Sequence, residues 1–298
     1  MKKKFAILGA VALAAANHVA HATEGGGSVY PVGSENFTCC ALPPPGVYGM
    51  LYVQNYSADK VRGNDGQVVT PDSFKVKATA VAPRLVWVTP TQFAGASVAG
   101  LHTILPLVNL SVDVAPGLSQ SKSGIGDVVF GPFLAWHHSA SLHTVAGIDM
   151  FAPTGGYQKG DLANIGRNYW AVQTVLGVSL INPEGFNADA KAMWTYNLKN
   201  GATDYKSGQE LIIDYALGWG VGGGWTVGVG GYLYQQLTDD KLQGATVHDN
   251  KGRAMSIGPS IRYDSGKGWF LTAKYEAEQS VRNRADGSAF WFKGVMAF

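Results

Sequence analysis

Charge is scarce in this sequence. Only 15% of its 298 residues are Asp, Glu, Lys or Arg, against about 25% in an ordinary soluble domain. The net charge of +2, with no long basic block after Lys2-Lys3-Lys4, excludes nucleic acid as a partner. Cysteine is nearly absent too. Cys39 and Cys40 are adjacent; in an oxidising compartment they could form a strained ring, pair with another chain or stay free. One pair cannot staple a chain this long and is too small a ligand set for a metal. A third absence is a run of about 20 apolar residues, which a membrane-spanning helix requires. What is abundant instead is glycine (39) and aromatic side chains (11%). Apolar surface spread thinly over alternating strands fits this balance, and points to a transmembrane β-barrel.

The one compact apolar run lies at the N-terminus. A basic head (Lys2-Lys3-Lys4), an apolar middle (residues 5–16) and Ala20-His21-Ala22 form a secretory signal with cleavage expected after Ala22. Residues 23–46 then hold Gly25-Gly26-Gly27 and Pro43-Pro44-Pro45-Gly46, which break helix and ladder alike. This leader is expected to lie in the lumen or hang in the periplasm. Tyr30, Phe37 and Leu42 are the apolar groups by which it would plug a lumen.

Residues 47–298 read as an all-β, up-and-down antiparallel barrel of about twelve strands. Alternating stretches fall at 47–56, 74–88, 98–114, 126–137, 142–151, 169–180, 186–198, 210–219, 225–236, 254–264, 269–279 and 289–298. The gaps between them tend to alternate long and short, as outer loops and periplasmic turns do in such barrels. Residues 115–125 and 280–288 are expected to be outer gaps. Strand side chains alternate faces, so Asp127, Asp149, Asp189, Lys191, Glu210, Asp214, Arg262, Lys274, Glu276 and Lys293 are assigned to the lumen, together with Asn109 and Asp113. A Lys or Arg turned to the bilayer midplane costs roughly 2–4 kcal/mol, so sorting charge inward is demanded by such a fold. The inner groups either line a water-filled path or form an ion-pair network that fills a narrow barrel. The last strand sets Phe290, Phe292, Met296 and Phe298 on one face. Its aromatic end suits the membrane interface and resembles the strand by which outer-membrane proteins engage the barrel-assembly machinery.

Catalytic chemistry is weakly represented. His137, His138 and His143 cluster with Ser139 and Ser141 at an expected periplasmic turn. No acid or further ligand completes a triad or a metal site, and a solvated polar turn accounts for them. Gly124-Ile125-Gly126-Asp127 lacks the third glycine of a dinucleotide loop and a following helix. No enzyme activity, cofactor or metal is expected.

Several segments occur in the order seen in a known family: SGIGDVVFGPFLAW (residues 123–136), FAPTGGYQKGDLANIGRNYW (151–170), SGQELIIDYALGW (207–219), GGYLYQQLTDD (230–240) and the leader's EGGGSVYPVGSENF. They resemble the outer-membrane proteins of the phenol-degradation meta-pathway family, including its sphingosine-induced, porin-like members. The resemblance implies a β-barrel in the bacterial outer membrane, in contact with its lipids. It also implies passive passage of small hydrophobic or aromatic solutes, with no phenol chemistry in the barrel. It supplies no binding residues to carry across. A closed structural or adhesin-like barrel is the alternative, and an outer-membrane lipid hydrolase the least favoured reading.

Overall fold

The computed structural model describes residues 23–91 and 93–297; the expected signal segment, Gln92 and Phe298 lie outside them. Twelve antiparallel strands close into a barrel, and the described residues form no α-helix. They are β1 (Gly46–Arg62), β2 (Lys75–Thr89), β3 (Val98–Ile104 and Leu107–Ala115), β4 (Leu118–Ile125 and Val128–His137), β5 (Leu142–Ala152) and β6 (Ala171–Leu180). The second half comprises β7 (Phe186–Asn197), β8 (Glu210–Gly222), β9 (Trp225–Gln236), β10 (Arg253–Asp264), β11 (Phe270–Arg282) and β12 (Arg284–Ala297). β1 pairs with β2 on one edge and with β12 on the other, which removes the free edges an open sheet would expose. Pro106 cannot donate to a ladder, and it separates the two halves of β3. Both halves nonetheless pair with β2.

Two expected outer gaps are strands. Residues 118–125 (LSQSKSGI) pair with Leu107–Ala115 along their whole length, and β11 and β12 meet around Asn283 alone, at φ 51. Both stretches hide from a hydropathy reading because Ser, Gly, Gln and charge interrupt them and leave neither face continuously apolar. Such strands form where a hairpin rises above the bilayer and needs no greasy side.

The register also corrects two inward assignments. Paired residues share a face. Asn109 and Asp113 pair with Thr79 and Lys75, on the face of β2 that holds exposed Leu85 and Trp87. They therefore point outward. The lumen side of this extension holds Val76, Ala78, Ala80, Val108, Leu110 and Val112, in register with Tyr52, Arg84 and His102. Here β2 and β3 are polar outside and apolar inside, the reverse of the belt below, while the first half of β4 adds Gln120 and Lys122 to the inner face.

In that belt the outward side chains are Leu, Val, Ile and aromatics, among them Leu85, Leu101, Leu176, Leu217, Leu233 and Ile257. Trp219 sits opposite Phe186. Trp225, Tyr263 and Trp269 stack in sequence, with ring centroids 4.7 and 5.7 Å apart. These groups girdle the end where the short turns lie. Exposed Trp170, Trp194 and Tyr196 mark the other end. Two aromatic girdles around an apolar band are the mark of an outer-membrane barrel.

Candidate functional site: the lumen and its leader

Residues 23–45 run inside the barrel, tied at each level to inward-facing groups. At the outer end the Asn200 side chain donates to Glu24 Oε2 at 2.9 Å, and Ser207 Oγ accepts from Glu24 N at 3.1 Å. Arg167, in the loop after β5, donates to the carbonyls of Glu24 and Ser28. Midway, one carboxylate of β8 organises a turn of the leader. Asp214 accepts from Tyr30 Oη at 2.6 Å, Gly33 N at 2.9 Å and Glu35 N at 3.0 Å. Lower down, Asp189 of β7 accepts from Cys39 N at 3.0 Å and Ser179 Oγ from Cys40 N at 3.0 Å. A proline-broken segment cannot satisfy its own amides; wall carboxylates and hydroxyls do so here.

The wall is shaped to the leader as well as charged for it. A Cβ on Gly218 would stand 2.6 Å from the Phe37 ring, and one on Gly177 would stand 2.3 Å from Cys40 Sγ. Glycine at these two strand positions leaves the hollows that Phe37 and Cys40 fill, and both side chains are buried. Tyr30 packs with Phe151, Met193, Ile212 and Tyr232, and Leu42 against Val86, Val98 and Phe133. Cys39 and Cys40 are free thiols.

Glu35 is the electrostatic centre. It is 4% exposed. Its Oε2 lies 3.0 Å from Lys293 Nζ, and its Oε1 lies 3.2 Å from Lys191 Nζ and 3.6 Å from Arg84. Tyr52 Oη donates to Oε1 at 3.3 Å. Lys274 Nζ binds the carbonyls of Gly33 and Glu35 at 2.5 and 3.0 Å, and its own carboxylate partner is Glu276 at 3.3 Å. Burial by itself would raise the pKa of Glu35. The ammonium groups of Lys293 and Lys191 and the guanidinium of Arg84 outweigh it and hold the carboxyl well below the usual range. A depressed carboxylate stabilises its folded seat fully above its ordinary value of about 4.3 and loses that stabilisation only as pH falls through the depressed value. We therefore expect less than a twofold change in conductance between pH 8 and pH 5, measured in planar bilayers. Opening within that window would mean that a group other than Glu35 releases the leader.

The other inward groups are held separately. Asp149 meets His102 Nε2 at 2.8 Å, Glu210 accepts from Asn197 at 2.7 Å, and Arg262 pairs with Asp264. Glu276 also accepts from Ser256 and Trp291. Asp127 sits at the break in β4, where it accepts from Gly155 N and Arg167 N at 2.9 and 2.7 Å and anchors an outer loop. The sequence reading missed Glu35, Arg84 and Tyr52. Glu35 had a signal: it is the single charged residue between Glu24 and Asp59. Arg84 is masked because both faces of β2 are apolar around it, with Val86 and Val88 on one and Leu85 and Trp87 on the other.

The histidines at the β4–β5 turn form a small exposed network. His137 Nδ1 and His143 Nδ1 are 2.8 Å apart, and His138 reaches Thr144 Oγ1. Among the described residues, no three His, Cys, Asp or Glu side chains are grouped as a metal site would need.

Residues 58–294 match the family described as "Putative MetA-pathway of phenol degradation". The chain belongs to that family. Its barrel is similar to the crystal structure of the COG4313 outer membrane channel from Pseudomonas putida F1, with a TM-score of 0.76 at 19% identity, over 88% of this chain and 98% of the other. It is also similar, more distantly, to the transport unit of the autotransporter AIDA-I from Escherichia coli (TM-score 0.50, 11% identity, 85% and 90% coverage). No curated protein matches the sequence. At these identities the likeness speaks for the fold.

Proposed function

We propose that this family member is a passive outer-membrane channel for small hydrophobic or aromatic compounds, and that its leader constricts the path. The observation that carries the reading is how the lumen is filled. An eight-stranded barrel is filled by its own wall side chains, whereas wider barrels leave room. In this twelve-stranded wall the space is taken by residues 23–45, a segment outside the ladder that can leave without breaking an interstrand hydrogen bond. The apolar inner face of β2 and β3 in the outer extension (Val76, Ala80, Val108, Leu110) supports an apolar solute, since it gives one a surface to leave water for. The COG4313 protein's description as a channel agrees with this reading. In the cell the chain would sit among outer-membrane lipids, with the signal removed after Ala22 and the last strand (Phe290, Phe292, Met296, Phe298) engaging the assembly machinery.

The test is uptake. Deleting the gene should lower entry of a radiolabelled small aromatic several-fold and leave glucose entry unchanged. The tagged protein should fractionate with the outer membrane and migrate faster on gels when unheated. A soluble periplasmic protein, or equal aromatic uptake with and without it, would refute the reading.

A further inference from the structure

The wall beneath Glu35 is a carboxylate site in its own right. Every group that binds the Glu35 side chain comes from a strand: Tyr52 from β1, Arg84 from β2, Lys191 from β7 and Lys293 from β12. None belongs to the leader, so all four stay with the wall when the leader leaves. Among the described residues, Glu35 is the carboxylate with which Arg84, Lys191 and Lys293 each pair. The tethered carboxyl also underuses the site. It meets Arg84 through one nitrogen at 3.6 Å, while the guanidinium Nε is buried with no hydrogen-bond partner. A guanidinium favours two parallel bonds to one carboxylate, and a free acid could turn to make them. Two residues along the same face of β2 lies Val86, part of the apolar patch with Phe133 and Val98 on which Leu42 of the leader rests.

We propose that Arg84, Lys191, Lys293 and Tyr52, with the Val86–Phe133 patch beside them, form a binding site for a hydrophobic or aromatic carboxylate, which competes there with Glu35 and Leu42 of the leader. This rests on the leader reading above and names the solute class: an organic acid whose anion takes the cations and whose ring takes the apolar wall. The leader then acts as an internal occupant that the solute displaces, and the unplugged path selects for anions.

Benzoate is the probe, with benzyl alcohol as its uncharged counterpart, titrated calorimetrically into detergent-purified protein that passes the heat-modifiability test. Glu35→Gln should bind benzoate at least tenfold more tightly than wild type does and at least tenfold more tightly than it binds benzyl alcohol. Adding Arg84→Met and Lys293→Met should abolish that difference. A protein lacking residues 24–42 is the second background and should behave as Glu35→Gln does, which keeps the test open if one variant fails to fold. No benzoate binding in either background, or equal binding of the alcohol, overturns the site. Bilayer recordings separate this from the leader reading. Unchanged conductance on removing residues 24–42 sinks the constriction alone, because calorimetry does not depend on current. Raised conductance without anion selectivity or benzoate block sinks the carboxylate site alone.

Discussion

Removing residues 24–42 is expected to raise single-channel conductance several-fold and to leave a barrel that still migrates faster unheated than heated. The ladder lies wholly outside the deleted segment, since β1 begins at Gly46 and its partners are β2 and β12. What the deletion takes away is lumen content: the Tyr30 and Phe37 rings, the Glu35 carboxylate and the amides held by Asp214 and Asp189. Stranding Arg84, Lys191 and Lys293 without their anion would be costly in a dry interior, several kcal/mol per ion. It costs little once water and counterions enter the vacated space, because the same groups are then solvated. The expectation therefore joins two outcomes, more current and retained assembly. An assembled barrel with unchanged conductance would favour the closed, structural alternative. Loss of assembly would mean that the leader is needed for the barrel to form.

The second large effect concerns the outer face. Leu176 lies midway along β6 with 57% of its surface exposed, and Ala146 and Ala192 are its cross-strand neighbours. Leu176→Arg places a charge near the bilayer midplane at a cost of roughly 2–4 kcal/mol, equivalent to about a 30- to 1000-fold shift in the folding equilibrium. Refolding into vesicles across a urea series should show the lower midpoint. Lys199→Ala, on an outer loop where the ammonium bonds Asp204 at 2.7 Å, should change it little, since exposed pairs contribute about 0–1 kcal/mol. Equal midpoints would place Leu176 away from lipid.

These two tests probe the parts of the molecule that the sequence reveals unequally. The belt is legible because lipid enforces a strict alternation. Read the other way, Arg253–Asp264 would turn Arg262 to hydrocarbon and its Ile side chains to the lumen. Above the belt that constraint vanishes. Residues 118–125 form a strand on backbone pairing and short polar cross-strand contacts, Ser121 with Ser111 and Ser123 with Asn109, and Asn109 and Asp113 face outward because nothing greasy surrounds them there. Inside, the inward position of Asp214 or Lys293 follows from periodicity, but their partners do not. Asp214 meets Tyr30 across 184 positions of chain and Lys293 meets Glu35 across 258. No local pattern encodes such a meeting. The complementary hollows at Gly177 and Gly218 are invisible for the same reason, since a glycine in a strand carries no mark of what fills its space.

The route of the leader bears on the order in which this molecule can be put together. Glu35 is made before any strand, and its cations arrive on β2, β7 and β12, the last of them only with the final strand. Closure of β1 on β12 joins the two ends of the ladder, a pairing of high sequence separation that is slow to form. If the leader is in place beforehand, the sheet curls around it and the last lysine arrives to a waiting carboxylate. If it is not, the segment must thread afterwards through a finished ring, with Glu24 travelling from the short-turn end to the loops that hold Asn200 and Ser207. The first route meets fewer barriers, so the leader is best seated before the ring closes, even though the ladder itself does not depend on it.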